Sequence, residues 1–191
     1  MERDVETFKR LLSEATADIA EQYFQLPTAG AQGAVLHVYR ERVYAYELYH
    51  QLRRRCGELQ GWPYSLGGEI DKRGHEVVRG PDLDNSKPDL LVHVPGDMGQ
   101  NLCVIEIKSL PSGRQAIWDD VAKLTAYRER ADYASAILLV FGNGLDQVRE
   151  YVRQHEAQAK AIEIIDLFHH ARPTEQGKFE PWEEPLEAHA E

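Results

Sequence analysis

Cysteine is nearly absent: the 191 residues contain two, Cys56 and Cys103. Two are too few for a disulfide framework, a four-cysteine zinc site or an iron–sulfur cluster. Cys103 sits in an apolar run and reads as a small buried hydrophobe. Long hydrophobic stretches are also missing. No run approaches the roughly 18 to 20 apolar residues of a membrane span, and residues 1–10 are too polar for a signal peptide. A cytoplasmic protein with no membrane partner is the expectation. Positive charge is scarce as well: 22 Lys and Arg face 32 Asp and Glu, a net charge of −10. That balance disfavours a broad nucleic-acid surface, though not a local one. Basic residues do cluster, at Arg40, Arg42, Arg53, Arg54, Arg55, Lys72 and Arg73, while the segment after Pro173 carries six Glu against one Lys.

What is present is a helical and strand patterning sufficient for one α/β domain over 1–172. Residues 4–24 place Val5, Phe8, Leu11, Leu12, Ala15 and Ile19 at helical spacing. Residues 27–33 read as a loop and 38–56 as a second helix, stopped at Gly57. A weak strand is expected over 64–71, an exposed loop over 72–87, then strands at 89–94 and 102–108. A helix over 114–130, a buried strand over 136–141, a helix over 145–159 and a strand over 161–168 follow. Residues 173–191, with three prolines, read as an acidic, irregular tail. Three successive strands suggest an antiparallel meander, and the later strand–helix–strand passages suggest parallel crossovers.

Three charges stand out against this pattern. Asp89 opens one apolar strand, and Glu106 and Lys108 interrupt another. An unpaired charge in an apolar sheet is costly, so these positions need a partner, and a divalent cation is one. An antiparallel hairpin centred near Met98 sets Leu91 opposite Glu106 and Asp89 opposite Lys108. Side chains alternate between faces, so Asp89, Leu91, His93, Glu106 and Lys108 share one. Leu90, Val92, Val94, Cys103, Ile105 and Ile107 share the other, the core face. Asp89 and Glu106 become diagonal neighbours, roughly 7–8 Å apart at the backbone. Two carboxylates so placed can clamp one hard cation, with the Ile107 carbonyl as a further ligand. Lys108 can orient or deprotonate a water, or stabilise developing negative charge. His93 on this face reads as a hydrogen-bonded strand histidine, and His169 and His170 as structural. Gly142-Asn143-Gly144 reads as a tight turn, without the pattern of a phosphate-binding loop.

Pro88-Asp89 followed by Glu106-Ile107-Lys108 resembles the two half-motifs of the PD-(D/E)XK nuclease superfamily. The resemblance covers about half the chain, over roughly 38–141. It implies a three-layer, restriction-endonuclease-like αβββαβ core, here with an extra N-terminal helix and C-terminal strand. It further implies hydrolysis of phosphodiester bonds, most often in DNA, with Mg²⁺ as cofactor and Mn²⁺ as substitute, and without zinc or iron–sulfur. Restriction, phage defence or repair fits such an enzyme, acting as a homodimer or with a targeting partner. Many members carry an additional acid on the helix before the meander. Glu47 is the expected residue, flanked on its helix face by Arg40 and Arg54 as phosphate-binding groups, and Glu69 competes for the role. RecB-like members carry Gln-x-x-x-Tyr on the following helix. Lys123 and Tyr127 occupy the comparable positions as expected substrate contacts, with lysine replacing glutamine. The alternative is a catalytically inactive binding or assembly subunit on the same fold.

Overall fold

Seven consecutive residues, Ser135–Phe141, are all buried, and this strand forms the spine of the sheet. A strand covered on both faces has no polar alternation to preserve, which is why its sequence is a continuous apolar run. In the computed structural model, which describes residues 1–29, 35–68, 87–97, 99–109 and 113–183, the strand is β6 of eight.

The chain runs α1 (Glu2–Thr16), α2 (Glu21–Phe24), β1 (Leu26–Ala29), β2 (Val35–Val38), α3 (Glu41–Glu58), β3 (Ser65–Gly68), β4 (Leu90–His93), β5 (Asn101–Ser109), α4 (Arg114–Arg130), β6 (Ser135–Phe141), α5 (Leu145–Arg153), α6 (Glu156–Ala161), β7 (Asp166–His170) and β8 (Lys178–Glu180). Strands β1 and β2 pair with each other. The rest form a six-stranded mixed sheet in the order β3-β4-β5-β6-β7-β8. Pairing is antiparallel from β3 through β5, parallel from β5 through β7, and antiparallel again at β8. This is an α/β sheet with helices on both faces. No helix among the described residues is long and apolar enough to cross a membrane.

Alternation along the strands divides the core in two. Leu90, Val92, Cys103, Ile105, Ile107, Ile137, Leu139 and Phe141 pack with residues of α1 and α3. Leu91, Val104, Ala136, Leu138, Val140 and Leu167 pack with residues of α4 and α5. The sequence-based division into one core face and one active face is therefore corrected. Both faces are core, and β5 is buried along almost its whole length.

The β4–β5 register also differs from expectation. Leu91 faces Val104 and Leu90 faces Ile105, so the pairing is displaced by two residues. A bulge between Val92 and His93 and a turn closed by the Val94 amide on the Gln100 carbonyl set this register. A two-residue displacement preserves parity, so Glu106 keeps its face.

Other departures have long-range causes. The single helix expected over 4–24 ends at Thr16. There Thr16 Oγ1 accepts the Gly177 amide (2.8 Å), and Ser13 Oγ donates to the Gly177 carbonyl (2.5 Å). A side chain at Gly177 would collide with the buried Phe168 ring and crowd the His169 carbonyl. The segment read as an irregular tail is thus bound to the fold up to residue 183. It contributes β8, the Trp182 indole donates to Ile165, and Arg149 donates to the Pro181 carbonyl. The expected loop at 27–33 includes most of β1, helix α3 starts three residues later than expected, and the helix expected over 145–159 breaks after Arg153.

His169 and His170 take structural positions. His169 Nε2 lies 2.9 Å from the Gly142 carbonyl. His170 Nδ1 lies 2.8 Å from the Tyr44 hydroxyl, with its ring edge-on to Phe24. Burial pushes the His170 imidazole down to about 4 from 6.5. Between those values the unfolded chain takes up a proton that the folded chain refuses. The stability His170 contributes is therefore complete above pH 6.5 and is lost as pH falls through about 4. The loss amounts to roughly 3 kcal/mol. Urea unfolding should show this acid-side decline in the wild type. It should be flattened in His170→Gln, which keeps an acceptor for Tyr44.

Candidate active site

The carboxyl end of β5 carries Glu106, Lys108 and Ser109 between two helices, α3 and α4. Glu106 is 1% exposed. Its face of the strand, shared with Val104, looks toward α4. There Asp120 and Lys123 stand one turn apart on the helix. Lys123 Nζ pairs with Glu106 at 2.9 Å and with Asp120 at 3.3 Å. Lys108 Nζ pairs with Asp120 at 2.9 Å and with Glu41 at 3.5 Å. Glu41 in turn accepts hydrogen bonds from the Ser109 amide (3.0 Å) and hydroxyl (3.1 Å). Asp89, immediately before β4, accepts the Ile107 amide at 2.7 Å. Four carboxylates and two ammonium groups therefore meet at the end of one strand.

Their proton affinities follow from this crowding. Burial raises the Asp89 carboxyl, against the opposing Ile107 hydrogen bond and the Lys108 charge. Burial, then the charges of Asp120 and Asp89, push Glu106 well above the usual carboxylate range, with Lys123 opposing. For Lys108, burial alone would lower the pKa. Asp120 first, then Glu41, outweigh it and hold the ammonium above its ordinary value. Lys123 shows the same contest, won by Glu106 and Asp120. Lys108 is thus a fixed cation, suited to donate hydrogen bonds and stabilise negative charge, and unsuited to act as a base at neutral pH.

Several expected residues lie elsewhere. Glu41, not Glu47, is the α3 acid that reaches Lys108. Glu47 instead accepts from Gln51 at 2.6 Å, and Gln51 accepts from Arg54 at 2.9 Å. Arg54 and Arg40 are exposed, and neither is among the residues lining the cleft beside Asp89. Tyr127 cannot reach a phosphate, because it is fully buried and edge-on to Tyr133. Lys123 does join the cluster, but through Glu106 and Asp120. At Ile107 the backbone amide is the group that meets Asp89. Glu69 lies outside the described residues. Half-buried His93 pairs with Asn101 and Ser65 across the sheet.

Asp120 has no counterpart in the sequence-based site. A signal for it existed: it falls among Ile117, Val121 and Leu124 on the buried stripe of α4 and is itself 4% exposed. An acid on such a stripe needs a buried cation, and Lys108 and Lys123 supply two.

The carboxylates that could hold a divalent cation here are Asp89 and Glu106, which lie close enough to repel one another. Among the described residues no group of three or more His, Cys, Asp and Glu is disposed to hold a metal. Mg²⁺, however, retains water and takes only one or two carboxylates from the protein. Asp89 and Glu106 are of that type, and the elevated Glu106 carboxyl is one whose negative charge a second cation would relieve. A cleft of about 480 Å³, lined by Glu41, Arg42, Ala45, Tyr46, Tyr49, Gly68, Asp89 and Leu90, leads from the α3 side to this cluster. Comparison with known protein families, with characterised proteins and with solved structures finds no match.

Proposed function

We propose that the protein is a Mg²⁺-dependent nuclease of the PD-(D/E)XK type that hydrolyses phosphodiester bonds, with DNA as the favoured substrate. The observation that carries this reading is the convergence of Asp89, Glu106 and Lys108 at the end of β5, beside an open cleft. The order α3, β3, β4, β5, α4, β6 supports it, being that of an αβββαβ core, and so does the mixed sheet. Restriction, phage defence or repair is the setting such an activity would serve.

Hydrolysis needs a nucleophilic water, charge relief on the phosphoryl oxygens and support for the leaving alkoxide. Asp89 and Glu106 would hold Mg²⁺, which supplies an acidified water and Lewis-acid charge relief when bound. Lys108 donates to the developing negative charge, and Asp120 and Glu41 fix its position and keep it protonated. Glu41 joins the Ser109 backbone to Lys108, so α3 and β5 hold the ammonium in one place.

The test is cleavage of plasmid, linear duplex, single-stranded DNA and RNA in Mg²⁺ or Mn²⁺, with EDTA as control. Hydrolysis should require the metal and disappear in Asp89→Asn. If no substrate is cut under any metal, the protein is a binding or assembly subunit on this scaffold and the catalytic reading fails.

A further inference from the structure

We propose that the α3 cleft seats an unpaired base of a single-stranded polynucleotide beside the scissile phosphate, an inference that rests on the nuclease reading of the adjoining cluster. Arg42, Tyr46 and Tyr49 recur at the spacing that puts residues on one face of a helix, and all three line the cleft with Asp89. The opposite face of α3, carrying Tyr44, Leu48 and Leu52, is spent on the core. Tyr46 is 60% exposed, the most exposed large hydrophobic side chain among the described residues. The fold leaves its ring open to solvent at the mouth of a cleft, where an apolar surface is available to a ligand.

The dimensions suit a nucleoside. A cleft of about 480 Å³ falls in the range of small-ligand sites. Gly68 forms part of its wall. A methyl there would stand 3.6 Å from the Asp89 carbonyl oxygen and 3.8 Å from the Tyr49 ring. Gly68 therefore sits between the Tyr49 ring and the backbone of Asp89, just before β4. A base held by these tyrosines would bring its own phosphate to the carboxylate cluster. Stacking on aromatic rings is indifferent to sequence, because every base has a π-face. It also demands that the base be out of the duplex. The overall charge of −10 points the same way, since affinity must come from a local site rather than from a basic surface spanning a duplex.

Binding separates this proposal from the catalytic one. Fluorescence anisotropy of a labelled oligothymidylate and of a duplex of equal length would be measured in Ca²⁺ with the full chain. The single strand should bind more tightly than the duplex. Tyr46→Ala should weaken it by about 5- to 150-fold, as the loss of one base–ring stack predicts. Tyr46→Phe should retain binding, and neither variant should shift the melting temperature. Equal affinity for duplex, or no effect of Tyr46→Ala, overturns the proposal. Displacement of the oligonucleotide by equimolar dTMP assigns the cleft to mononucleotides and overturns it too. Tyr46-dependent single-strand binding without cleavage in Mg²⁺ or Mn²⁺ sinks the nuclease reading alone.

Discussion

Glu106→Gln is expected to raise the melting temperature while abolishing hydrolysis. The side chain is buried among like charges, and its pKa lies well above the ordinary carboxylate value because of burial, Asp120 and Asp89. A raised carboxyl pKa means that the folded chain holds a proton the unfolded chain has released. Stability is then greatest below the unfolded value and falls as pH rises through the folded one. Glutamine has nearly the same shape and no charge to bury. Lys123 keeps Asp120 at 3.3 Å as a partner, so no ammonium is stranded. A neutral isostere at such a site should raise stability by about 0.5–2 kcal/mol at neutral pH, the range of single stabilising substitutions, and the gain should shrink toward pH 4. For a chain of 191 residues each kcal/mol corresponds to about 2–4 °C. If Glu106 helps to hold Mg²⁺ as proposed, hydrolysis should fall by about 10³-fold or more. Thermal melts across pH and initial rates measure both halves. A structural ion pair gives the opposite pattern: Gln would lower the melting temperature and leave the rate alone.

Lys108→Met should also abolish hydrolysis, but it should destabilise. Asp120 would lose the cation at 2.9 Å and Glu41 the one at 3.5 Å. Removing one partner of a buried pair leaves the other charge desolvated, at a cost of roughly 3–5 kcal/mol. The loss should fall at the low end of that range, since Glu41 retains Ser109 and is partly exposed, and Lys123 still reaches Asp120. Adding Asp120→Asn to Lys108→Met should return part of the stability, with a coupling of about 1–3 kcal/mol in a double-mutant cycle. Chemical denaturation of the four proteins checks this. Additive losses would mean that the pair is not energetically linked. The two substitutions thus lie two residues apart on β5, share a catalytic phenotype and change stability in opposite directions.

Much of this site was legible in the chain. Glu106 and Lys108 stood out because β5 is otherwise apolar, and α4 was bounded correctly at 114–130. Parity survived an error of two residues in the hairpin register, since the period of a strand is two. Asp120 was missed, although its place on the buried stripe of α4 was visible. Tyr127 lies on the same stripe and belongs to the core. Glu41 escapes a reading that starts α3 at Val38; with the helix starting at Glu41, that acid faces Ser109 from its first turn. The contacts of Gly177 with Thr16 and Ser13 join positions more than 150 residues apart. No local pattern encodes them, which is why residues 173–183 read as a tail.

In the proposed site Asp89 and Glu106 hold a divalent cation for hydrolysis at Lys108. Calorimetric titration of the full chain with Mn²⁺ at neutral pH tests it most directly, in the wild type and in Asp89→Asn. Saturable binding that is lost or severely weakened in Asp89→Asn is the predicted result. Binding at 100 times the dissociation constant should also stabilise the fold by about 2.7 kcal/mol. No binding in the wild type, or identical binding in Asp89→Asn, would contradict the account.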